Sequence, residues 1–505
     1  MRWVRLPTVM LAILLAATAH AAYTTPGTGV DWTLDDLVAM SGGVVTGGAG
    51  SYEFHDSLVI AIGDSVTVAP GTTMLFFGGN AVGIAVNGAL TAVGTEESPI
   101  TFSATAATPG AWRGLDYENT GVGSGFHLAW CDIGYADIGV DVAGGDIQVE
   151  DSKVHHCSNR AFDFTTANGS VRRCTIRDNQ TRTITATLSS SPLFEDCWFE
   201  NNNIVNTTQY PYINIGLQGV NSPVIRRCHI LGSGHHMSGG ISIWASSAAV
   251  VEGNVIEGCG YGILCYSTGA NAVIRNNYLR LNNIHPDQVN WGFGVACNGN
   301  NAPVLTGNHI TGHWYGVAAI NGGHPNLGNL DNAATDDDGG NVITGNGIGA
   351  VSYGFYNNTA LAQMAQGNYW GYATSDADVE LHIFHQVDNA ALGLVNFAHY
   401  IGDIAAVPGV ATVTMLDRHS VFPNPFNPRT TIRFKLPEGG HARLDLFDVA
   451  GRLVRTLVDA ELAAGEHDIA WDGRDAGGRD VGSGSYLARL VSGDRVETAR
   501  LALVR

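Results

Sequence analysis

Tyr210 and Tyr212, His235 and His236, Tyr261, the group His285, Asp287 and Trp291, and the run His313-Trp314-Tyr315 are the residues whose types and spacing point to chemistry. Aromatic faces rimmed by hydrogen-bonding groups suit sugar rings, which offer apolar C–H faces and polar edges. Histidines in this number also raise a metal role for His235, His236, His285 and His313. Against it, neighbouring residues on a strand point to opposite faces, which separates His235 from His236. A plainer alternative is that all of these side chains cover turns. Whether they form one groove depends on the elements that align them.

The aligning element is a short phrase that recurs from residue 128 to 343: an aliphatic, two mostly polar residues, a Cys or Asn, one more residue, then an aliphatic. Val171-Arg172-Arg173-Cys174-Thr175-Ile176 is one copy, and Ile274-Arg275-Asn276-Asn277-Tyr278-Leu279 is another. With the Cys or Asn as anchor, the series runs Cys131, Asp151 (the one Asp), Cys174, Cys197, Cys228, Asn254, Asn277, Asn308, Asn341. Steps of 20 to 33 residues with alternation inside each copy predict a solenoid of β-coils, each holding three short strands. A second phrase follows most anchors, as in Gly240-Ile241-Ser242-Ile243 and Gly294-Val295-Ala296-Cys297, and predicts a strand opened by a glycine turn. Stacked coils place like side chains about 4.8 Å apart, so the anchors form an internal ladder in which Asn amides satisfy one another. Residues just past the anchor then share a column, and the candidates above line one groove.

Charges beside the anchors argue against catalysis there. Two residues before the anchor the coils read Arg172, Glu195, Arg226, Glu252, Arg275, and one residue before it Glu150, Arg173, Asp196, Arg227. Each carboxylate is expected between arginines, a register-fixing ladder. Paired carboxylates on neighbouring coils, which a hydrolase of this architecture needs, do not emerge from that pattern. A polysaccharide lyase would need calcium-binding carboxylates and a basic residue, which it also lacks. No catalytic residue and no cofactor is assigned. Asp336-Asp337-Asp338 before Gly339-Gly340 is a weak calcium candidate, because it lacks the alternate spacing of a dedicated loop, and a solvated turn is the plainer reading.

The 505 residues include 65 glycines, and the formal charge is −20. Acidity and the presence of only two lysines, Lys153 and Lys435, exclude nucleic acid and anionic membrane surfaces as partners. Arg2 and Arg5, the apolar run Val9 to Ala17 and Ala19-His20-Ala21 predict a signal peptide over 1–21, hence a secreted or cell-surface protein. No segment is long enough to span a bilayer. The eight cysteines are expected as buried free thiols, since stacked cysteines run parallel and strain disulfide geometry.

Residues 22–107 read as a cap and first coils, with β-patterned runs Leu58-Val59-Ile60, Val66-Thr67-Val68, Met74-Leu75-Phe76-Phe77 and Ile84-Ala85-Val86. The run Gly63-Asp64-Ser65-Val66-Thr67-Val68-Ala69-Pro70-Gly71-Thr72 and the phrase Ala365-Gln366-Gly367-Asn368-Tyr369-Trp370-Gly371 resemble secreted bacterial right-handed parallel β-helix proteins. That resemblance covers residue 31 to about 400 and implies an all-β solenoid, here over 108–402, with no fixed activity. After a linker at 403–418, residues 419–505 change texture: Pro423-Asn424-Pro425-Phe426-Asn427-Pro428, Asp448-Val449-Ala450-Gly451-Arg452-Leu453 and Trp471-Asp472-Gly473-Arg474. These resemble the C-terminal sorting domain of type IX secretion cargo and the related FlgD Ig-like domain. The resemblance implies a small β-sandwich read by secretion or attachment machinery at the outer membrane. Together these features predict an exported, non-catalytic protein that binds an extracellular glycan or another ligand. A polysaccharide lyase or glycoside hydrolase is the alternative, and a structural surface-layer or stalk protein a further one.

Overall fold

A computed structural model describes residues 22–118, 125–216, 219–402 and most of 421–504. The signal segment and the linker lie outside these residues.

Three long, almost entirely parallel sheets of 14, 13 and 11 strands run side by side, and each coil adds one strand to each. One coil shows the plan. Leu193–Glu195 belongs to the 11-stranded sheet, Trp198–Glu200 to the 13-stranded sheet and Tyr210–Ile215 to the 14-stranded, or long, sheet. Inward residues form continuous apolar columns, so that Val140, Phe162, Ile184, Ile213, Ile241, Ile263 and Val295 stack rung on rung. All are fully buried. A single coil has no such core, and stability comes from the neighbouring rung.

The anchor column turns the corner from the 11- to the 13-stranded sheet. Each anchor follows a residue in the left-handed region: Trp130, Asp151, Arg173, Asp196, Arg227 and Asn276 have φ between +49° and +59°. An L side chain is strained there, and the ladder behind it compensates. Asn277 Oδ1 accepts from both the backbone N and Nδ2 of Asn254 at 2.9 Å, and its own Nδ2 donates to Val251 O and to Asn308 Oδ1, each at 2.9 Å. The same pattern continues through Asn308, Asn341 and Asn368.

One anchor differs from the sequence expectation. Ser152, not Asp151, occupies the column, and its Oγ accepts from Cys131 N at 3.0 Å. Asp151 is the strained residue before it and accepts from Arg173 at 2.7 Å. The shift completes the charge pattern: Glu150, Arg172, Glu195, Arg226, Glu252 and Arg275 are paired in register, with signs alternating throughout. Glu195 lies between Arg172 at 3.0 Å and Arg226 at 2.8 Å. Burial alone would raise its carboxyl, but the hydrogen bonds from Arg226, Arg227 and Arg172 hold it at about 2.

A second ladder, not anticipated from the sequence, stands at the corner from the 13-stranded to the long sheet. Asn179 Nδ2 donates to Asn202 Oδ1 at 2.7 Å, and Cys259 N to Asn282 Oδ1 at 3.0 Å. All eight cysteines are buried free thiols, and Cys265 pairs in register with Cys297.

At the N-terminal end, helix α1 (Leu34–Met40) is opened by a capping box between Thr33 and Asp36 and seats Leu34 and Leu37 in the core. It falls outside the β-patterned runs that the sequence shows over 22–107. Asp64, fully buried, accepts from the backbone N of Gly27 (2.8 Å), Thr28 (2.9 Å), Gly29 (2.9 Å) and Val30 (3.0 Å), and from Trp32 Nε1 (3.2 Å). Burial opposes its charge, yet these donors hold the carboxyl far below its usual range.

The C-terminal unit has its own core around Trp471, against which Phe426 (5.3 Å) and Tyr486 (5.1 Å) pack. Antiparallel sheets of three and four strands form it, including Thr430–Leu436, Gly440–Asp448 and Gly484–Ser492. Leu453–Leu462, which the sequence reading took only as a motif, is a full strand.

Replacing Asn277 by Leu removes the side-chain acceptor of the Asn254 backbone N and takes one partner each from Asn254 Nδ2, Val251 O and Asn308 Oδ1 in the interior. The expected cost is about 3 kcal/mol, from unpaired groups at 1–3 kcal/mol each, read as a lower midpoint in denaturant unfolding. An unchanged midpoint would refute the buried ladder.

Candidate functional site

The outer face of the long sheet is the surface on which the chemistry-bearing side chains meet. Its middle row is traced by register: Asp116, Asp141 and Asp163, then Thr185, Asn214 and Ser242, then Leu264, Ala296 and Ala318, ending in Tyr356 and Phe384. The row changes from carboxylate to hydroxyl and amide to aromatic along the axis. Inserts at the second ladder's corner immediately precede the strands Tyr210–Ile215, Ser238–Ile243, Phe293–Asn298 and Tyr315–Ile320, and so stand along one edge of this face.

Most of the residues singled out in the sequence gather on or beside that edge. Tyr261 donates to or accepts from Ser242 Oγ at 2.7 Å and packs 5.6 Å from Trp291. Burial, first of all, pushes its phenol up to about 12. His285 stacks on Trp291 at 4.0 Å and 5°, and lies 5.3 Å from His236. His236 Nδ1 meets Asn206 Nδ2 at 3.0 Å, and His235 Nε2 meets Asn201 Oδ1 at 2.8 Å. Tyr315 lies 5.2 Å from Phe293 and from Tyr353, and 5.0 Å from Tyr356. Tyr261, Trp291, Phe293, Ala296 and Ala318, with Trp314 and Tyr315 against them, form an apolar cluster separate from the coil core. Glycines make room for it: a Cβ on Gly239 would lie 2.0 Å from the Tyr261 ring, and one on Gly292 2.3 Å from Trp314. Tyr210 stands apart towards the acidic end, beneath the Arg182 guanidinium at 4.9 Å. Tyr212 is fully buried, its hydroxyl accepting from Asn202 N at 3.1 Å.

Two other candidates take different places. His313 is a rung of the second ladder, with Nδ1 3.0 Å from Asn346 Oδ1 and Nε2 3.2 Å from Asn282 Nδ2. It faces the interior, not the groove, and burial lowers its pKa to about 4. Asp287 is half-buried and caps its own turn, accepting from Val289 N at 3.0 Å and Asn290 Nδ2 at 2.8 Å. Asp337 accepts from Asn326 Nδ2 (2.8 Å) and Asn332 Nδ2 (3.0 Å), while Asp336 is exposed and Asp338 half-buried. Among the described residues no three His, Cys, Asp or Glu side chains converge as a metal site.

The sequence reading missed the carboxylate row. It sought acids beside the anchors, where signs alternate, whereas Asp116, Asp141 and Asp163 stack like upon like one sheet away. Their signature is an Asp between two apolar strand residues, as in Leu115-Asp116-Tyr117, Val140-Asp141-Val142 and Phe162-Asp163-Phe164. Arg113 pairs with Asp116 at 2.6 Å and Arg160 with Asp163 at 2.8 Å. Burial, with the neighbouring Asp141 charge, pushes Asp116 and Asp163 up to about 6 against the pull of those arginines. Asp141 is raised as well, again first by burial.

Comparison with known proteins fits this geometry. Residues 119–214 and 199–332 match the family model described as "Right handed beta helix region". Residues 427–494 match that of the FlgD Ig-like domain. The chain is a right-handed β-helix protein with a C-terminal Ig-like domain. No curated protein matches it. A solved structure of PorZ from Porphyromonas gingivalis, described as an essential bacterial surface component of the type-IX secretion system, is similar at 26% identity over 17% of this chain and 11% of that one, with a TM-score of 0.13. The chain thus spans about a tenth of PorZ, and the likeness carries no argument about fold or role. Among the described residues no helix is long and apolar enough to cross a membrane.

The raised carboxylates make stability pH-dependent in a definite direction. Asp163 releases its proton near 3.8 as an ordinary Asp but near 6 when folded. The folded state therefore holds the proton more tightly, an advantage complete below pH 3.8 and lost as pH rises through about 6. Asp163→Asn removes that penalty, and the expected gain at pH 7.5 is about 1–2 kcal/mol. Thermal unfolding checks it: the variant melts higher than the parent at pH 7.5 and no higher at pH 3.5. A lower melt at pH 7.5 would show that the Arg160 pair outweighs the burial.

Proposed function

We propose that this protein binds a linear extracellular glycan along the outer face of its long sheet, without cleaving it. The observation that carries the reading is the ring row at the C-terminal end of that face. Phe293 and Tyr315 stack at 5.2 Å and 25°, Tyr315 neighbours Tyr356 at 5.0 Å, and Tyr356 stacks on Phe384 at 4.9 Å and 16°. Tyr315, Tyr353, Tyr356 and Phe384 are all half-buried. They present ring surface beside phenol hydroxyls, the mixture that sugar C–H faces and edges match. The fold alone licenses no ligand, so the reading rests on these side chains.

A second reading, hydrolysis of the bound chain, is favoured by a different observation, the carboxylate row. Two acids on adjacent coils, about 4.8 Å apart in backbone spacing, with carboxyls pushed up to about 6 at Asp116 and Asp163, are the starting point for an acid and a nucleophile or base. The ion pairs of Asp116 and Asp163 with Arg113 and Arg160 weigh against it, since each fixes a carboxyl that catalysis would need free.

Screening the intact protein on a glycan array, with reducing-sugar and unsaturated-product assays on every hit, separates the readings. Binding without product is expected. Tyr315→Ala with Tyr356→Ala should weaken the best hit at least tenfold, since each lost stacking contact is worth about 0.5–1.5 kcal/mol, with thermal unfolding little changed. Product formation would favour the hydrolytic reading, and the absence of any glycan hit would remove the binding one.

In the same proposal the Ig-like domain delivers the solenoid to the cell surface or beyond it, through secretion or attachment machinery at the outer membrane. Its separate core around Trp471 supports independent folding. Ending the chain at residue 402 should leave the solenoid's unfolding unaltered and retain the protein inside the cell. Normal surface amounts of the truncated chain would overturn this assignment.

A further inference from the structure

The like-charged row breaks the rule that the rest of the solenoid obeys. At the anchor corner carboxylates alternate with arginines, from Glu150 through Arg275. Asp116, Asp141 and Asp163 instead lie directly in register, an arrangement that costs stability. Arg113 and Arg160 each pair with an outer member, at 2.6 and 2.8 Å, and Asp141 between them has no ion pair among the described residues. Glu118, two positions along the strand from Asp116, adds another exposed acid. The packing of the coil does not explain this concentration.

The next rungs extend the same acceptor character. Thr185, paired in register with Asp163, is only 5% exposed, and its Oγ1 has no hydrogen-bond partner. Asn214, paired with Thr185, leaves Oδ1 unpartnered. From Asp141 to Asn214 the row thus carries oxygen after oxygen, the last two of them buried without a donor. A chelated cation is a poor match, because no three ligating side chains converge among the described residues. A polyanionic glycan is a worse one. Residues 421–505 carry twelve basic and twelve acidic residues, so the whole excess of 20 acids lies in the remainder of the chain.

Resting on the glycan-binding reading, we infer that the acidic end of this face recognises protonated amines of the sugar chain. The ligand class is then a linear amino-sugar polymer with free amino groups, such as de-N-acetylated glucosamine oligomers. Ammonium groups spaced along the chain meet carboxylates spaced along the row in charge-assisted hydrogen bonds. The ring row supplies the stacking surface further along the axis.

The test is calorimetric titration of the full chain at pH 6.5 with hexaglucosamine, its fully N-acetylated counterpart and cellohexaose. Hexaglucosamine should bind about tenfold or more tightly than the other two, as charge-assisted contacts outweigh neutral ones, and the margin should shrink with added salt. Asp141→Asn, nearly isosteric, should bring the preference close to one, with Asp163→Asn as a second variant and thermal unfolding as the check that both fold. Equal binding of the three hexamers, or a preference that survives both variants, would overturn the amine assignment and leave the glycan reading standing. Binding of polylysine but of no hexamer would overturn the amino-sugar assignment in favour of a basic peptide. Failure of every glycan on the array would remove the underlying reading instead.

Discussion

Everything in the solenoid hangs from its two corner ladders. A parallel coil must turn sharply, and here it does so through a residue with φ near +50° to +60°, including Arg173, Asp196 and Arg227, side chains that gain nothing from that conformation. The strain persists because the following residue drops a buried Asn, Ser or Cys onto the rung below. Asn277 and Asn308 show the economy of the device: each oxygen takes two donors from the preceding rung and each nitrogen gives to the next. Since every rung depends on its neighbour, register is fixed along the axis, and register is what aligns the outer rows of the long sheet.

Much of this was legible because ladders write themselves into sequence. Asn254, Asn277, Asn308 and Asn341 recur with aliphatics on both sides, and all four stand in the column. The slip at Asp151 has a physical cause: where the ladder residue is a serine, Ser152, the polar residue before it looks the better anchor. The second ladder hid behind variety, since Cys157, Asn179, Cys259, Asn282, His313 and Asn346 share a role but not a residue type. His313 was misjudged for the same reason. An imidazole beside two aromatics in sequence looks like a site residue, yet its ring substitutes for an amide in the interior.

The aromatic side of the site was readable as composition but not as geometry. Tyr261, Trp291 and Trp314 come together only because Gly239, Gly260 and Gly292 leave space above the neighbouring strands. The acids were harder, because an Asp inside an alternating strand carries no local mark of which rows it will stack with. Only correct register places Asp116, Asp141 and Asp163 on top of one another.

Register also explains why the two halves of the face can differ without disturbing the fold. The inward column that runs from Leu115 and Val140 to Val317 and Phe355 stays aliphatic or aromatic throughout. The outward positions carry no share of the coil's core, so they are free to run from carboxylates to rings. The penalty of stacking like charges is confined to the first rungs, where Arg113 and Arg160 temper it. A solenoid that neutralises acids at one corner yet concentrates them on an open face separates what holds the coil together from what it offers outward. That separation is the physical ground for reading the long sheet's outer face, and not the ladder corners, as the working surface.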